Sequence, residues 1–239
     1  MPLHIDGSIW PLVVHRARTQ ASLPYLTSID NAGMRTELSG TSMLNAIAKT
    51  AGALVTEAEL EPGSRIAMHL PWHWQRVVWS LAAWTVGAIV VEHGDPANCE
   101  LLVADMNAAL PFTEACEPWV VSLHPLGLVE KGLPNTVVDA TSVCRMQPDA
   151  LLVEPANGDG PALELSDGSA LTRVQALEWT TNQDGTEARI LLDRIAASSK
   201  AAWLLPSLHP LIGTGAIILG DGQDPEQTAQ REGATRIWR

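Results

Sequence analysis

Apolar positions recur at helical spacing after Thr41 or Ser42, either of which supplies an N-cap. Leu44, Ile47, Ala48, Ala51, Leu54, Val55 and Ala58 then fall on one face. Glu61-Pro62-Gly63 turns the chain, and Arg65–Leu70 reads as a short buried strand stopped by Pro71. From Trp74 the stripe Val77, Val78, Leu81, Trp84 and Thr85 predicts a second helix ended by Gly87, and Ala88–Val91 predicts a second buried strand. Further strands are expected at Leu101–Ala104, Trp119–Leu123, Leu151–Glu154, Arg189–Leu192 and Ala216–Leu219, several of them separated by helix-like segments. A parallel crossover needs a long covering connection, so this alternation predicts an α/β fold with mainly parallel sheets. Asp30-Asn31-Ala32-Gly33 lies between two short runs and predicts a hairpin turn, hence some antiparallel pairing near the N-terminus. Between Pro155 and Gly168 the composition shifts to Gly, Asp, Asn and Pro, which sets an expected boundary between a first lobe at 1–150 and a partial second lobe at 151–239.

Composition narrows the partners. In 239 residues, 27 acidic side chains outnumber 15 basic ones and leave a net charge of −12, which repels nucleic acid and anionic membrane surfaces. Apolar residues at 46% and charged ones at 18% exclude a mostly disordered chain. Nine Trp stand against one Phe and one Tyr, so large rings in the core must be indoles. Cys99, Cys116 and Cys144 are far apart and form no C-x-x-C pair, which argues against a disulfide framework or zinc knuckle and for a reducing, cytoplasmic location. Met1–Trp10 carries Asp6 and no basic n-region, so no signal peptide is expected there. The most apolar stretch, Val77–Val91, falls short of the roughly 20 residues a membrane span needs.

Most chemical motifs fail on inspection. Gly213-Thr214-Gly215 precedes a strand and Gly220-Asp221-Gly222 lacks a third glycine, so both read as turns rather than dinucleotide loops. No Walker loop and no G-x-S-x-G elbow occurs. Pro71 separates His69 from His73, which disfavours a shared zinc ion. His124 and His209 each precede a proline and read as turn histidines bonded to local backbone. They belong to a repeat, Ser122-Leu123-His124-Pro125-Leu126 and Ser207-Leu208-His209-Pro210-Leu211, that marks either two related lobes or a coincidence.

One resemblance carries further. Thr36-Glu37-Leu38, then Pro62-Gly63-Ser64-Arg65-Ile66-Ala67, then Gly87-Ala88-Ile89-Val90-Val91 follow one another as the "T-x-x-E-L", "PGDRVA" and "GAVVVP" elements do in adenylate-forming enzymes. The N-terminal part of this chain resembles that superfamily of acyl-CoA synthetases, luciferases and peptide-synthetase adenylation domains. The resemblance implies two stacked α/β lobes. It also implies a later phosphate loop, typically YTSGTTGxPKG followed by a Ser-His pair. At the matching distance stands Leu152-Val153-Glu154-Pro155-Ala156-Asn157-Gly158-Asp159-Gly160-Pro161-Ala162-Leu163, then Ser166-Asp167.

The loop, placed within 153–167, keeps a glycine skeleton with Asn157, Gly158 and Gly160 as the candidate phosphate-binding remnant. From Glu154 to Ala162 it has no Ser or Thr, and Ala162 stands where lysine is expected. Glu154 and Asp159 bring negative charge instead. Each carboxylate would repel a phosphate by about 3 kcal/mol at ~5 Å and an effective dielectric near 20. Loss of the lysine contact removes roughly another 1.5–3 kcal/mol. Downstream, Pro210-Leu211-Ile212-Gly213 matches a family "PL-x-x-G" element before the strand at Ala216–Leu219, a reading preferred over equating His209 with an acyl-pocket histidine. The family's adenine and ribose motifs and its mobile C-terminal domain would lie beyond Arg239, so the resemblance implies a short, truncated relative.

From this follow the functional expectations. The first is a degenerate, non-catalytic relative that binds another protein or a small ligand, with no catalytic residue, no metal, and ATP as cofactor only if the loop still binds it. The alternative is an acyl-activating enzyme completed in trans by a partner chain. A homodimer or a polar resurfacing is expected on the side that longer relatives cover. Trp79 lies roughly 140° from the apolar stripe of its helix. It is a partner anchor if that helix packs on one side and core if two layers enclose it.

Overall fold

The computed structural model describes residues 6–129, 131–194, 199–222 and 224–238. The chain opens with helix α1 (Trp10–Thr19), a hairpin of β1 (Pro24–Ile29) and β2 (Arg35–Ser39), and helix α2 (Gly40–Thr56). The hairpin turn is the expected one: Asp30 Oδ1 accepts from the amides of Ala32 and Met34 at 2.9 and 2.8 Å, and Gly33 takes φ +80°. The capping residue of α2 is Ser39, whose hydroxyl accepts from Ser42 N, rather than the expected Thr41 or Ser42.

Next come β3 (Arg65–His69), α3 (Trp74–Val86), β4 (Ile89–Glu92), β5 (Leu101–Ala104), the short α4 (Met106–Ala109), β6 (Trp119–Val120), β7 (Val138–Asp139) and α5 (Ala140–Met146). The remainder is β8 (Pro161–Glu164), β9 (Ala170–Thr172), α6 (Arg173–Thr181), β10 (Arg189–Asp193), α7 (Ser199–Ile212), β11 (Ala216–Gly220), α8 (Pro225–Glu232) and β12 (Arg236–Trp238). The expected α/β class is present. Seven strands form a large sheet in the order β7-β6-β5-β3-β4-β8-β9, parallel except for β9. Five form a smaller sheet in the order β12-β10-β11-β1-β2, parallel except for β2. No helix among the described residues is long and apolar enough to cross a membrane.

Two expectations need correction, and a question left open is decided. A division at residue 150 does not separate the sheets. β1 and β2 join the small sheet with β10–β12, while β8 and β9 complete the large one. One apolar core runs through both, from Tyr25 and Leu26 through Ile66 and Trp84 to Ile190 and Leu219. Leu151–Glu154 is not a strand: Leu152 is 79% exposed, and the strand of this region begins at Pro161. The proline heads the strand, where its missing N–H costs little. Finally, the two Ser-Leu-His-Pro-Leu copies differ in structure. The first follows β6 as a turn, and the second lies inside α7. The repeat therefore marks no pair of related substructures.

The α3 helix is wedged between layers, and every residue of Trp74–Val86 except Arg76 is buried. It ends at Gly87, whose φ of +81° is left-handed and whose notional Cβ would lie 3.0 Å from Ala156 Cβ and 3.2 Å from Pro62 Cβ. Gly87→Ala is expected to lower the unfolding free energy by about 1–2 kcal/mol, read from urea denaturation, because both the backbone and the neighbours must yield.

Candidate functional site

In open parallel sheets, ligands gather outside the carboxyl ends of the strands. The remnant loop lies at the other end. Ala156 N donates to Thr85 O at 2.8 Å, beside the start of β4, and β8 then runs parallel to β4 with Val90 opposite Leu163. Asn157, Gly158 and Gly160 are thus brought together at the amino edge of the large sheet.

The backbone groups of Gly158 and Gly160 are already engaged. Gly158 N donates to Ser8 Oγ at 2.9 Å, and Gly160 N to Asp159 Oδ1 at 2.8 Å. That same Asp159 oxygen accepts from Val174 N at 3.0 Å and so occupies the N-terminus of α6. Desolvation is the largest single influence on the Asp159 carboxyl and pushes its pKa up. The amides of Val174 and Gly160, the Thr172 hydroxyl and the Arg173 charge together outweigh it and hold the pKa below its ordinary value. Buried Arg173 donates to Gly7 O at 3.1 Å and to Gly158 O at 2.9 Å, closing the segment from beneath. Asn157 and Glu154 are exposed. Ala162 is not in the loop at all: it is buried in β8, and its carbonyl accepts from Trp84 Nε1 at 2.7 Å.

At the carboxyl edge, β8 and β9 are joined by the tight turn Leu165–Ser169. Leu165 N bonds Ser169 O at 2.8 Å, and Gly168 N bonds Leu165 O at 2.9 Å. Asp167 Oδ1 accepts from both the amide and hydroxyl of Ser169, at 2.8 and 2.6 Å. Ser166 N donates to Glu92 Oε2 at 2.9 Å. The other Glu92 oxygen accepts from Trp203 Nε1 at 2.7 Å. Lys200, on α7, lies within electrostatic reach of Asp167. A polyanion approaching this turn would meet two carboxylates, and both serine hydroxyls already donate within the protein.

Next to the turn, the Arg76 guanidinium is stacked between Trp72 and Trp203, 4.9 and 4.5 Å from their ring centres. Burial lowers its pKa to about 10. Its Nη2 donates to Ala202 O at 3.0 Å. That carbonyl is the one Pro206 cannot satisfy from within α7, because proline has no N–H to return four residues back. Arg76 therefore repairs a helix that carries Pro206 and Pro210 in its interior. His69 Nε2 is engaged with Gly94 O at 2.8 Å, and its ring meets that of His93 edge-on at 5.6 Å. His73 caps α3, with Nδ1 accepting from Gln75 N at 3.3 Å. Among the described residues no group of three or more His, Cys, Asp or Glu could hold a metal ion. His124 is a local turn histidine as expected, accepting from Leu126 N at 3.1 Å. His209 is not: it is buried in α7 and reaches Ala188 O at 3.0 Å.

No family model matches the sequence. A protein of Mycobacterium tuberculosis described as a TIGR03089 family protein is 35% identical over 223 residues, which cover 89% of this chain and 88% of that one. The chain belongs to the TIGR03089 family. Its fold is that of the N-terminal part of acyl-activating enzymes. An acyl-CoA synthetase of Brucella canis superposes with a TM-score of 0.72 at 19% identity, over 96% of this chain and 46% of that one. Coronafacic acid ligase of Pectobacterium brasiliense gives 0.72 at 14% identity, over 96% and 49%. The chain thus spans about half the length of these solved ligases and nearly all of its TIGR03089 relative.

For this TIGR03089 family member the sequence missed Arg173, Arg76 and Glu92, the three residues that tie the site together. Only Arg76 left a signal, as a charge within an otherwise apolar helix. The partners of Arg173 and Glu92 lie far along the chain and no local pattern announces them.

Proposed function

We propose that this TIGR03089 family chain is a non-catalytic, binding relative of the acyl-activating enzymes that takes up no nucleotide. One observation carries the reading: the turns at both ends of β8 are closed on themselves by carboxylates, Asp159 at the amino end, and Asp167 with Glu92 at the carboxyl end. A phosphate tail would have to displace these acids from the amides they occupy and then lie beside their charge. Each such contact is repulsive by about 3 kcal/mol at ~5 Å and an effective dielectric near 20. Isothermal titration of the protein with ATP and magnesium is expected to show no binding up to about 1 mM nucleotide, the affinity range in which only about 4 kcal/mol is available. A micromolar dissociation constant would refute the reading.

The half-length match to the solved ligases supports a second reading, an acyl-activating enzyme assembled with another chain. It requires ATP–pyrophosphate exchange in cell extract that vanishes when this protein is removed.

A further inference from the structure

A cleft of about 290 Å³ opens between α2, α3, α5 and the segment that follows β6, away from β8 and its turns. Its floor is apolar, formed by buried Val78, Trp79, Val121 and Ala140. Its rim carries Lys49 and Arg145, and none of its lining residues is acidic, in a chain where acids outnumber bases 27 to 15. Lys49 donates to Gln147 O at 2.6 Å and pairs with exposed Asp149 at 3.0 Å. Arg145 is exposed and makes no ion pair among the described residues. Asp139, the acid beside this wall, is committed to capping α5, accepting from Ser142 N and Oγ at 3.0 and 2.6 Å. Trp74, 8% exposed, lines the cleft, and its indole N–H is buried without an acceptor. At the mouth stands Leu126, apolar and yet 79% exposed.

We infer that this cleft binds a small amphipathic carboxylate, with a flat apolar body of roughly ten to thirteen heavy atoms against the tryptophans and its charge at Arg145 and Lys49. The volume sits at the lower end of ligand cavities, which run from about 300 Å³ upward. A neutral apolar body would fill the floor but leave the cationic rim unused. A carboxylate uses both and covers Leu126 as it enters. The inference gives a ligand class to the binding role proposed above and rests on that reading for its purpose, while its geometry involves neither turn of β8.

Titration of the full chain with 2-naphthoate, beside the uncharged 2-naphthylmethanol, tests it. Naphthoate is expected to bind with a dissociation constant below about 1 mM and the alcohol at least about fivefold more weakly. Arg145→Glu, at an exposed position, should weaken naphthoate at least about fivefold and leave the alcohol unchanged. Ala46→Leu, filling the cleft from a half-buried position of α2, should abolish both, with thermal unfolding confirming that the variant folds. Absence of naphthoate binding, equal affinity for the alcohol, or naphthoate binding that survives both substitutions would overturn the assignment. Uptake of ATP alongside the expected naphthoate results would refute only the nucleotide-free reading, so the two claims fail separately.

Discussion

Trp79→Ala is expected to cost about 4 kcal/mol of unfolding free energy, as is usual when a fully buried indole is cut back to a methyl group. Trp79 is 2% exposed and meets Trp119 edge-to-face with ring centres 6.2 Å apart. Of its two expected roles, the core one holds, because layers on both sides enclose α3. Urea denaturation of the variant at neutral pH reads the cost directly. An unchanged midpoint would mean that the ring contributes to association rather than to packing. Trp79→Phe, which keeps most of the apolar area, should lose less than half as much.

Acid should destabilise the protein through His73, by about 3 kcal/mol in all. Burial, the largest influence, depresses the pKa of this imidazole from 6.5 to about 4, outweighing the pull of Asp30 and the Leu123 backbone. The unfolded chain therefore takes up a proton near pH 6.5, while the folded chain refuses it until about pH 4. Stability from this group is complete above pH 6.5 and is lost as the pH falls toward 4. Protonation also turns Nδ1 from an acceptor into a donor, so the α3 cap cannot survive it. His73→Asn keeps a capping acceptor and removes the proton site. Its stability should change less between pH 7 and pH 4.5 than that of the parent, by about 2–3 kcal/mol. Equal slopes would exclude His73 as the source.

What the sequence disclosed was local. Leu101–Ala104 is a strand at the expected residues, and Arg65–His69, Ile89–Glu92, Arg189–Asp193 and Ala216–Gly220 differ from expectation only at their ends. Each is an apolar run with punctuation close by, so nearest neighbours suffice to define it. The failures share a different cause. Leu151–Leu152–Val153 has a strand-like composition, yet no neighbouring strand is available to pair with it, and the chain crosses the amino edge of the sheet instead. The α7 helix contains Pro206 and Pro210, which punctuate a local reading, and it persists because Arg76, more than a hundred residues earlier, supplies a missing donor. The candidate site suffered likewise. Its glycine skeleton was visible, but which edge of the sheet it occupies depends on the parallel pairing of β8 with β4, a fact of topology rather than of motif.

The pairing of β1 with β11 has a bearing on how the molecule is made. Leu26 lies opposite Ile217, and among the described residues β11 is the one parallel neighbour of β1. A ribosome must therefore release everything from Ile29 through Gly220 before this ladder can close. Until then the early hairpin waits with one apolar flank unsealed, and synthesis, rather than any intrinsic barrier, sets the earliest moment at which the smaller sheet can be completed.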